Sequence, residues 1–448
     1  MRLRWTDLGT FRAEQAHGET VELVGWAATA LPAPRADYFL LTPGPNCCPG
    51  CLPRHPLTAI EVFAATEVEL DGEALRLAGT LHVSDDPAGW RYQLHGARLA
   101  CGVSRRRLLA ASSLVCLPVP AVGQMPAAMP VGTVDLHSHA GNVIHVYSQG
   151  GREPFLAVAE PMRRGGMAAI CLAIVADSPT SHVSEDRIRP YRNPNPGELY
   201  EHSKKAFARL HRMVREQGLA VIVDVAGLRA ARAERPSVIV SSEGGDWTDG
   251  IAERVDEAYE RWQLRHLQLT HYRPNELGDI QTEPAVNGGL TQAGAEVIRR
   301  CNKIGVVVDV AHGTFELVKK AAAVTTKPLI LSHTSLSERQ NLWTRQITSD
   351  HARAIASTGG VIGIWPLVSY FPTMRAYADG FARMAEVVGV DHVGLGTDQL
   401  GLLGGSTMPS YAELPRLADA LRARFTADET AKLLGGNYQR VFEASLAK

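Results

Sequence analysis

Five histidine or carboxylate motifs stand where short apolar runs end. They are Asp135-Leu136-His137-Ser138-His139, Ser241-Ser242-Glu243-Gly244-Gly245, Asp309-Val310-Ala311-His312, Leu331-Ser332-His333 and Gly396-Thr397-Asp398. Each run is β-branched and short enough to be a buried strand. A ligand-type residue at the C-terminal end of one strand after another is how a (β/α)8 barrel assembles a site on one face. Imidazoles and carboxylates together suit a borderline-soft divalent cation such as zinc. The pattern implies a metal-dependent hydrolase.

From Val131 onward eight strand-like runs recur, at Thr133–Leu136, Met167–Ala176, Val238–Ser242, His266–Thr270, Val306–Val310, Leu329–Ser332, Val361–Trp365 and His392–Gly396. Between most of them lie stretches with apolar residues at three-to-four spacing, among them Glu201–Gln217, Thr248–Trp262, Thr291–Lys303 and Thr348–Ser357. Strands alternating with helices imply parallel βαβ units, and eight of them imply closure into a TIM-type barrel. An extra helix over Gly227–Arg235 is expected before the third strand. Tyr411–Ala420 and Asp428–Leu434 read as closing helices, the second ended by Gly435-Gly436.

At 448 residues the chain exceeds one small core. Residues 1–103 form a separate, β-rich stretch, with runs at Val21–Ala27, Tyr38–Leu41, Ala59–Glu67, Ala74–Val83 and Tyr92–Leu99. Five short strands in about a hundred residues suit a small OB-like barrel. Its chemical signal is Cys47-Cys48-Pro49-Gly50-Cys51 with His55. The C-x-x-C spacing of Cys48 and Cys51 suits zinc or a cycling dithiol, or is a turn that merely contains cysteines, Cys101 being the one remote partner.

Residues 104–130 separate the two parts. Ser104-Arg105-Arg106-Arg107 followed by the apolar run Ala110–Pro120 has the composition of a twin-arginine export signal. Lying internally, it is an interdomain linker with one short helix, an export signal carried inside the chain, or the true start of a shorter protein. The protein is then periplasmic or exported if this segment is a signal, and otherwise cytoplasmic. Residues 131–448 are the barrel.

The remaining composition narrows the partners. A formal net charge of −1 offers no field for nucleic acid or an anionic membrane. No signal peptide opens the chain, no apolar stretch is long enough for a transmembrane helix, and seven cysteines, mostly scattered singly, make no disulfide framework. Small-molecule substrates are expected.

His137 and His139 are two apart at a strand end, so both imidazoles can face the barrel mouth. With His312 and His333 they form a set of four strand-end imidazoles, which are costly to bury without partners and therefore point to metal. Glu243 is placed to bridge two cations, and Asp398 suits general acid/base work beside them. His271, ending the fourth run, can donate to a developing oxyanion. Asp309 is a candidate to orient a ligand. Arg345 and Arg353, in a basic stretch after the sixth run, are either solvated charges or a clamp for a substrate carboxylate.

These motifs, in this order, resemble the membrane (renal) dipeptidase family of zinc peptidases, within the amidohydrolase-like barrels. The resemblance spans roughly residues 131–445 and includes Gly289-Leu290-Thr291, Gly305-Val306-Val307-Val308-Asp309, Thr358-Gly359-Gly360-Val361, Asp391-His392-Val393-Gly394 and Leu434-Gly435-Gly436-Asn437. It implies that His137 binds a first metal, that Glu243 bridges the pair, and that His312 and His333 hold the second. It further implies that His271 contacts the scissile carbonyl, Arg345 meets the substrate carboxylate and Asp398 handles protons. The implied cofactor is two divalent ions, most simply Zn2+. The implied reaction is hydrolysis of a dipeptide amide by a metal-bound hydroxide, in a chain that can be a homodimer.

Two departures bear on this. The family's first motif is usually His-x-Asp, whereas this chain has His137-Ser138-His139, and Gln399-Leu400-Gly401 lacks the second Asp typical after Asp398. A neutral donor in place of an anionic one leaves more positive charge on the metals, lowering the pKa of bound water and favouring zinc, copper or nickel over manganese. The alternatives are action on another amide, lactone or phosphoester, or a barrel that binds metal without turnover.

Overall fold

A computed structural model of the chain describes residues 3, 5, 8, 11–29, 35–44, 59–70, 74–84, 91–100, 132–144, 155–184, 187–337, 344–403 and 405–447. The chain divides into two compact units, Met1–Gln124 and Met125–Lys448. The cysteines at 47, 48, 51 and 101, His55 and the whole 104–130 segment lie outside the described residues.

The first unit is a closed five-stranded barrel of β1 (Thr20–Ala28), β2 (Arg35–Thr42), β3 (Ile60–Glu69), β4 (Leu75–Val83) and β5 (Tyr92–Leu99), in the order β1-β2-β3-β5-β4. β4 returns antiparallel to β1, and β3 pairs parallel with β5. Alternation inside the strands buries Leu23, Leu41, Ile60, Val62, Leu77, Leu81, Tyr92 and Leu94 around one core. All five expected strands are present, each within a few residues of its expected bounds.

The second unit is built on β6 (Val134–Ser138), β7 (Ala169–Val175), the hairpin β8 (Ser181–Ser184) and β9 (Arg187–Pro190), β10 (Ala220–Val221), β11 (Ser237–Glu243), β12 (Leu264–Gln268), β13 (Val307–Asp309), β14 (Leu329–Thr334), β15 (Val361–Ile364) and β16 (Val393–Leu395). Eight of these run parallel in the order β6-β7-β11-β12-β13-β14-β15-β16, while β10 flanks β11. The last strand comes back to the first: Ser138 bridges Gln399 in parallel, His139 N donates to Gln399 O at 2.9 Å, and Asp398 N donates to His137 O at 3.0 Å. The result is a nearly closed parallel barrel. Every residue of the eight strands is buried, as strands covered on both faces must be.

Helices occupy the connections, and several begin where a hydroxyl caps them. Thr291, Thr314, Thr348 and Thr373 each accept a first-turn N–H, which places the starts of the helices Gln292–Ile304, Phe315–Val324, Ser349–Ala356 and Met374–Val388. Among the described residues no helix is long and apolar enough to cross a membrane.

Two helical expectations are corrected. The helix expected over Gly227–Arg235 spans Val225–Ala230: Asp224 caps its start, and the chain turns out at Ala231 toward the Arg232–Arg235 bridge before Pro236. Gly435-Gly436 does not end a helix. The chain passes from Ala427–Ala431 through a π-helical turn, Lys432–Gly436, into a further helix, Asn437–Leu446. A Cβ on Gly435 would collide with the backbone of Gly132, Thr133 and Val134, so this glycine serves close packing against the start of β6.

One buried histidine of this unit carries a stability prediction. His351, on the helix Ser349–Ala356, is held down to about 4 by burial, with Arg345 adding to the effect. In the unfolded chain it titrates near 6.5. The unfolded state therefore binds the extra proton first, and stability is lost as pH falls from about 6.5 toward about 4. Between pH 7 and pH 5, His351→Gln is expected to lose about 2 kcal/mol less than the parent in chemical denaturation. Identical losses in both proteins would remove His351 as the cause.

Candidate metal centre and active site

The ends of the parallel strands bring seven side chains to one cup. Glu243, the last residue of β11, lies at its centre. Its Oε1 is 3.1 Å from His312 Nε2 and 3.5 Å from the Nε2 atoms of both His137 and His333. Its Oε2 is 3.0 Å from His139 Nε2 and 3.3 Å from His271 Nε2. Asp398 Oδ1 approaches from the end of β16, 3.5 Å from His139 Nε2 and 4.0 Å from His137 Nε2. All are buried.

Several polar atoms of this cup are buried without a partner, His137 Nδ1, His312 Nδ1 and Asp398 Oδ1 among them. His139 Nδ1 lies 2.9 Å from Ala173 O, a group that can only accept, so Nδ1 carries the proton. His139 Nε2 faces the Glu243 carboxylate at 3.0 Å and His137 Nε2 at 3.2 Å. His312 and His333 repeat the arrangement with their Nε2 atoms 3.2 Å apart. Asp398 Oδ1 is buried without a hydrogen-bond partner. Converged lone pairs of imidazole and carboxylate are the chemistry of a divalent metal site, and the residues fit one. Three overlapping groups have that spacing: His137, His139 and Asp398; His137, Glu243 and His333; and Glu243, His271 and His312.

The charge states differ from ring to ring: burial opposes a charge on His137, but Glu243 and Asp398 outweigh it and raise its pKa. Burial opposes the Glu243 charge, but His271 and His137 outweigh it and hold the carboxyl well below its ordinary range. Burial, with Arg345 nearby, keeps His312 and His333 well below the usual imidazole value, so both are neutral and able to ligate. Asp398 is pushed up to about 6, chiefly by burial and further by Glu243, against the opposing pull of His139 and His137.

Backbone strain concentrates here. His312 (φ 67°) and Asp398 (φ 48°) adopt left-handed conformations, uncommon outside glycine although Asn, Asp and His enter them more readily than other side chains. His312 is held there by Gln281 N, which donates to its carbonyl at 2.8 Å, and Asp398 by its bond to His137 O. Gly401 must lack a side chain, because a Cβ would run into Asp398 Oδ1 and His139 Cδ2.

Two buried acids stitch neighbouring strand ends together. Asp135 accepts from Thr397 N at 2.8 Å, from Thr397 Oγ1 at 2.5 Å and from Tyr411 OH at 2.6 Å, fixing the residue before Asp398. Asp309 accepts from Ala311 N and Ser332 N, the residues before His312 and His333, and its other oxygen meets His266 Nε2 at 3.2 Å. Asp309 thus positions the backbone on both sides and does not reach the His312 ring.

His271 follows β12 and is oriented by a residue the sequence reading leaves out. Asp177, directly after β7, is fully buried; its Oδ1 is 2.6 Å from His271 Nδ1 and its Oδ2 accepts Tyr272 N at 2.9 Å. Burial opposes the charge on His271, but Asp177 and Glu243 outweigh it and push the imidazole up to about 9. The available signal was positional: Asp177 ends the second apolar run, to which no functional group was assigned. Asp177→Asn is expected to lower turnover roughly 10- to 100-fold with metal content unchanged. Unaltered turnover would limit Asp177 to packing.

Arg345 is brought to the cup and Arg353 is not. Arg345 Nη2 donates to His333 Nε2 at 3.0 Å, Nη1 donates to Gln281 Oε1 at 3.0 Å, and Nε is buried without a partner. Arg353 lies on the outer face of its helix, exposed and paired with Asp350 at 2.9 Å.

A sequence model of the membrane dipeptidases (peptidase family M19) matches residues 158–448. The chain belongs to this family. Glu243, His271, His312, His333, Arg345 and Asp398 fall inside the match, whereas His137 and His139 precede it. Dipeptidase verJ of Clonostachys rogersoniana is 28% identical over 191 residues, 41% of this chain and 49% of that protein. Dipeptidase aclJ of Aspergillus oryzae (strain ATCC 42149 / RIB 40) is 28% identical over 269 residues, 56% of this chain and 63% of that protein. The chain therefore spans between about half and just under two thirds of these curated relatives. Among solved structures, dipeptidase AC, an M19 metallopeptidase, superposes with a TM-score of 0.60 at 20% identity, covering 71% of this chain and 100% of that one. A metallopeptidase from Rhodobacter sphaeroides, liganded with a phosphinate mimic of L-Ala-D-Ala, gives 0.59 at 19% identity, with 71% and 100% covered. These likenesses show the fold. Family membership and the site chemistry together support a hydrolase that uses divalent metal.

Proposed function

We propose that this chain hydrolyses the amide bond of dipeptides at a binuclear zinc site. The observation that carries the reading is Glu243, a single buried carboxylate with imidazoles at 3.0–3.5 Å on both oxygens. His137 and His139, with Asp398 beside them, would hold one cation, His312 and His333 the other, and Glu243 both. Bound there, the pair supplies Lewis acidity toward the carbonyl oxygen and lowers the pKa of water.

The chain's own groups do the rest. Asp398, with a pKa of about 6, is a base near neutral pH, taking a proton from the attacking water and returning it to the leaving amine. His271, with Nδ1–H committed to Asp177 and Nε2 at 3.3 Å from Glu243 Oε2, would turn Nε2–H to the oxygen where negative charge develops. An Nε2 lone pair cannot both ligate a cation and accept a hydrogen bond, so ligation by His333 would release Arg345 Nη2 to meet the free carboxylate of the substrate.

The same reading takes residues 1–103 as an OB-type module, 104–130 as the connecting segment and 131–448 as a TIM-type barrel, with a homodimer as the assembly. The test is turnover by the zinc-loaded chain on dipeptides beside lactones and phosphotriesters. Dipeptide cleavage abolished by a chelator and restored by zinc is the expected result. Cleavage of only the other substrates would favour the broader amidohydrolase reading that His139 motivates. Binding without cleavage of any would leave a metal-binding barrel.

A further inference from the structure

The cup opens into a cavity of about 190 Å³, small beside the roughly 300–1,000 Å³ of sites for drug-sized ligands, and suited to a substrate no larger than a dipeptide. Its floor is the ionisable cluster. One wall carries an apolar patch, Ile144 beyond β6, Val175 at the end of β7, and Val183 and Ile188 on the β8–β9 hairpin, with Ser178, Ser181 and His182 beside it and Tyr272 and Trp365 elsewhere on the lining. Val183 and Ile188 are cross-strand partners, so they offer one continuous apolar surface from the hairpin. Val183 is 60% exposed, an apolar side chain held at the mouth with little to cover it.

The charges near this wall are turned elsewhere. Both oxygens of Asp177 are engaged, by His271 and by Tyr272 N. Arg187 donates to Thr282 O at 2.6 Å and Arg189 to Glu283 Oε1 at 3.1 Å, which ties the hairpin to the loop after β12 and points both cations at the rim. Among the described residues, no other lysine, arginine, aspartate or glutamate lines the cavity away from the floor.

Strand order says which part of a substrate meets this wall. Arg345 follows β14, the sixth of the eight barrel strands, whereas Ile144, Val175, Val183 and Ile188 follow the first and second. The sixth strand and the first two lie on opposite sides of the barrel, and Arg345 reaches the cup beside His333. Resting on the dipeptidase reading, with the carboxylate at Arg345, we propose that the residue at the amine end of the substrate carries a bulky apolar side chain seated against Ile144, Val175, Val183 and Ile188. The enzyme is thereby selective for leucyl- or phenylalanyl-type dipeptides over glycyl and charged ones.

The test uses the zinc-loaded full chain with Leu-Gly, Phe-Gly, Gly-Gly, Asp-Gly and Lys-Gly. Leu-Gly and Phe-Gly should exceed the others by roughly 10- to 100-fold in kcat/KM, with the difference mainly in KM. Val183→Asp, at an exposed position that does not endanger folding, should bring the Leu-Gly to Lys-Gly ratio close to one. Parity between Gly-Gly or Lys-Gly and Leu-Gly in the parent, or an unchanged ratio in the variant, overturns the inference. If the parent cleaves no dipeptide, the dipeptidase reading fails on its own account, and calorimetric titration of zinc-loaded Asp398→Asn protein with Leu-Gly and Lys-Gly still decides. Tighter Leu-Gly binding by about tenfold or more upholds the apolar seat, and equal or undetectable binding of both rejects it.

Discussion

Glu243→Gln is expected to leave the chain with less than one metal ion after dialysis and to lower turnover by at least about 100-fold. Loss of a group that merely orients a ligand already costs roughly 10- to 100-fold in metal affinity or activity. Glu243 does more than orient: its two oxygens contact five imidazoles, and among the described residues no other carboxylate pairs with His312 or His333. Glutamine keeps the shape but removes the charge, and its amide group turns a donor toward lone pairs. Metal analysis of the folded variant, together with turnover, reads both consequences. Parental stoichiometry with parental activity would place the functional centre elsewhere.

Asp398→Asn should separate proton transfer from metal binding. Asparagine adopts the left-handed backbone required at this position about as readily as aspartate, and it retains one oxygen toward His139 and His137. Metal content should therefore stay at the parental level while kcat falls roughly 10²- to 10⁴-fold, the range for loss of a general acid/base. The parent's kcat/KM should also fall on the acidic side as Asp398 takes up a proton, because the active form is the carboxylate. The variant should lack that acidic limb. Near-normal turnover in Asp398→Asn would remove the residue from the mechanism.

Much of this site was legible before any coordinates, for a physical reason. A barrel places its ligands at strand ends, so His137, His139, Glu243, His312, His333 and Asp398 each announce themselves by following a β-branched run. What the chain does not advertise is the layer behind them. Asp309 was marked as an orienting group but not as one that acts on the neighbouring strand, Asp135 likewise reaches the adjoining strand, and Asp177 acts on a histidine 94 positions away. Such partnerships exist only once the strands are side by side. The β8–β9 hairpin was equally hidden, since four-residue strands with little burial leave no alternation to read. Gly435-Gly436 misleads for the opposite reason: a local stop signal was in fact a tertiary requirement for room beside Gly132.

The measurement that tests the central claim most directly is anomalous diffraction at the zinc edge from crystals of the zinc-loaded chain. Two peaks are predicted, one among His137, His139 and Asp398, the other between His312 and His333, with Glu243 touching both. An absence of peaks in this cup, with the histidine Nε2 atoms turned away from one another, would contradict the account.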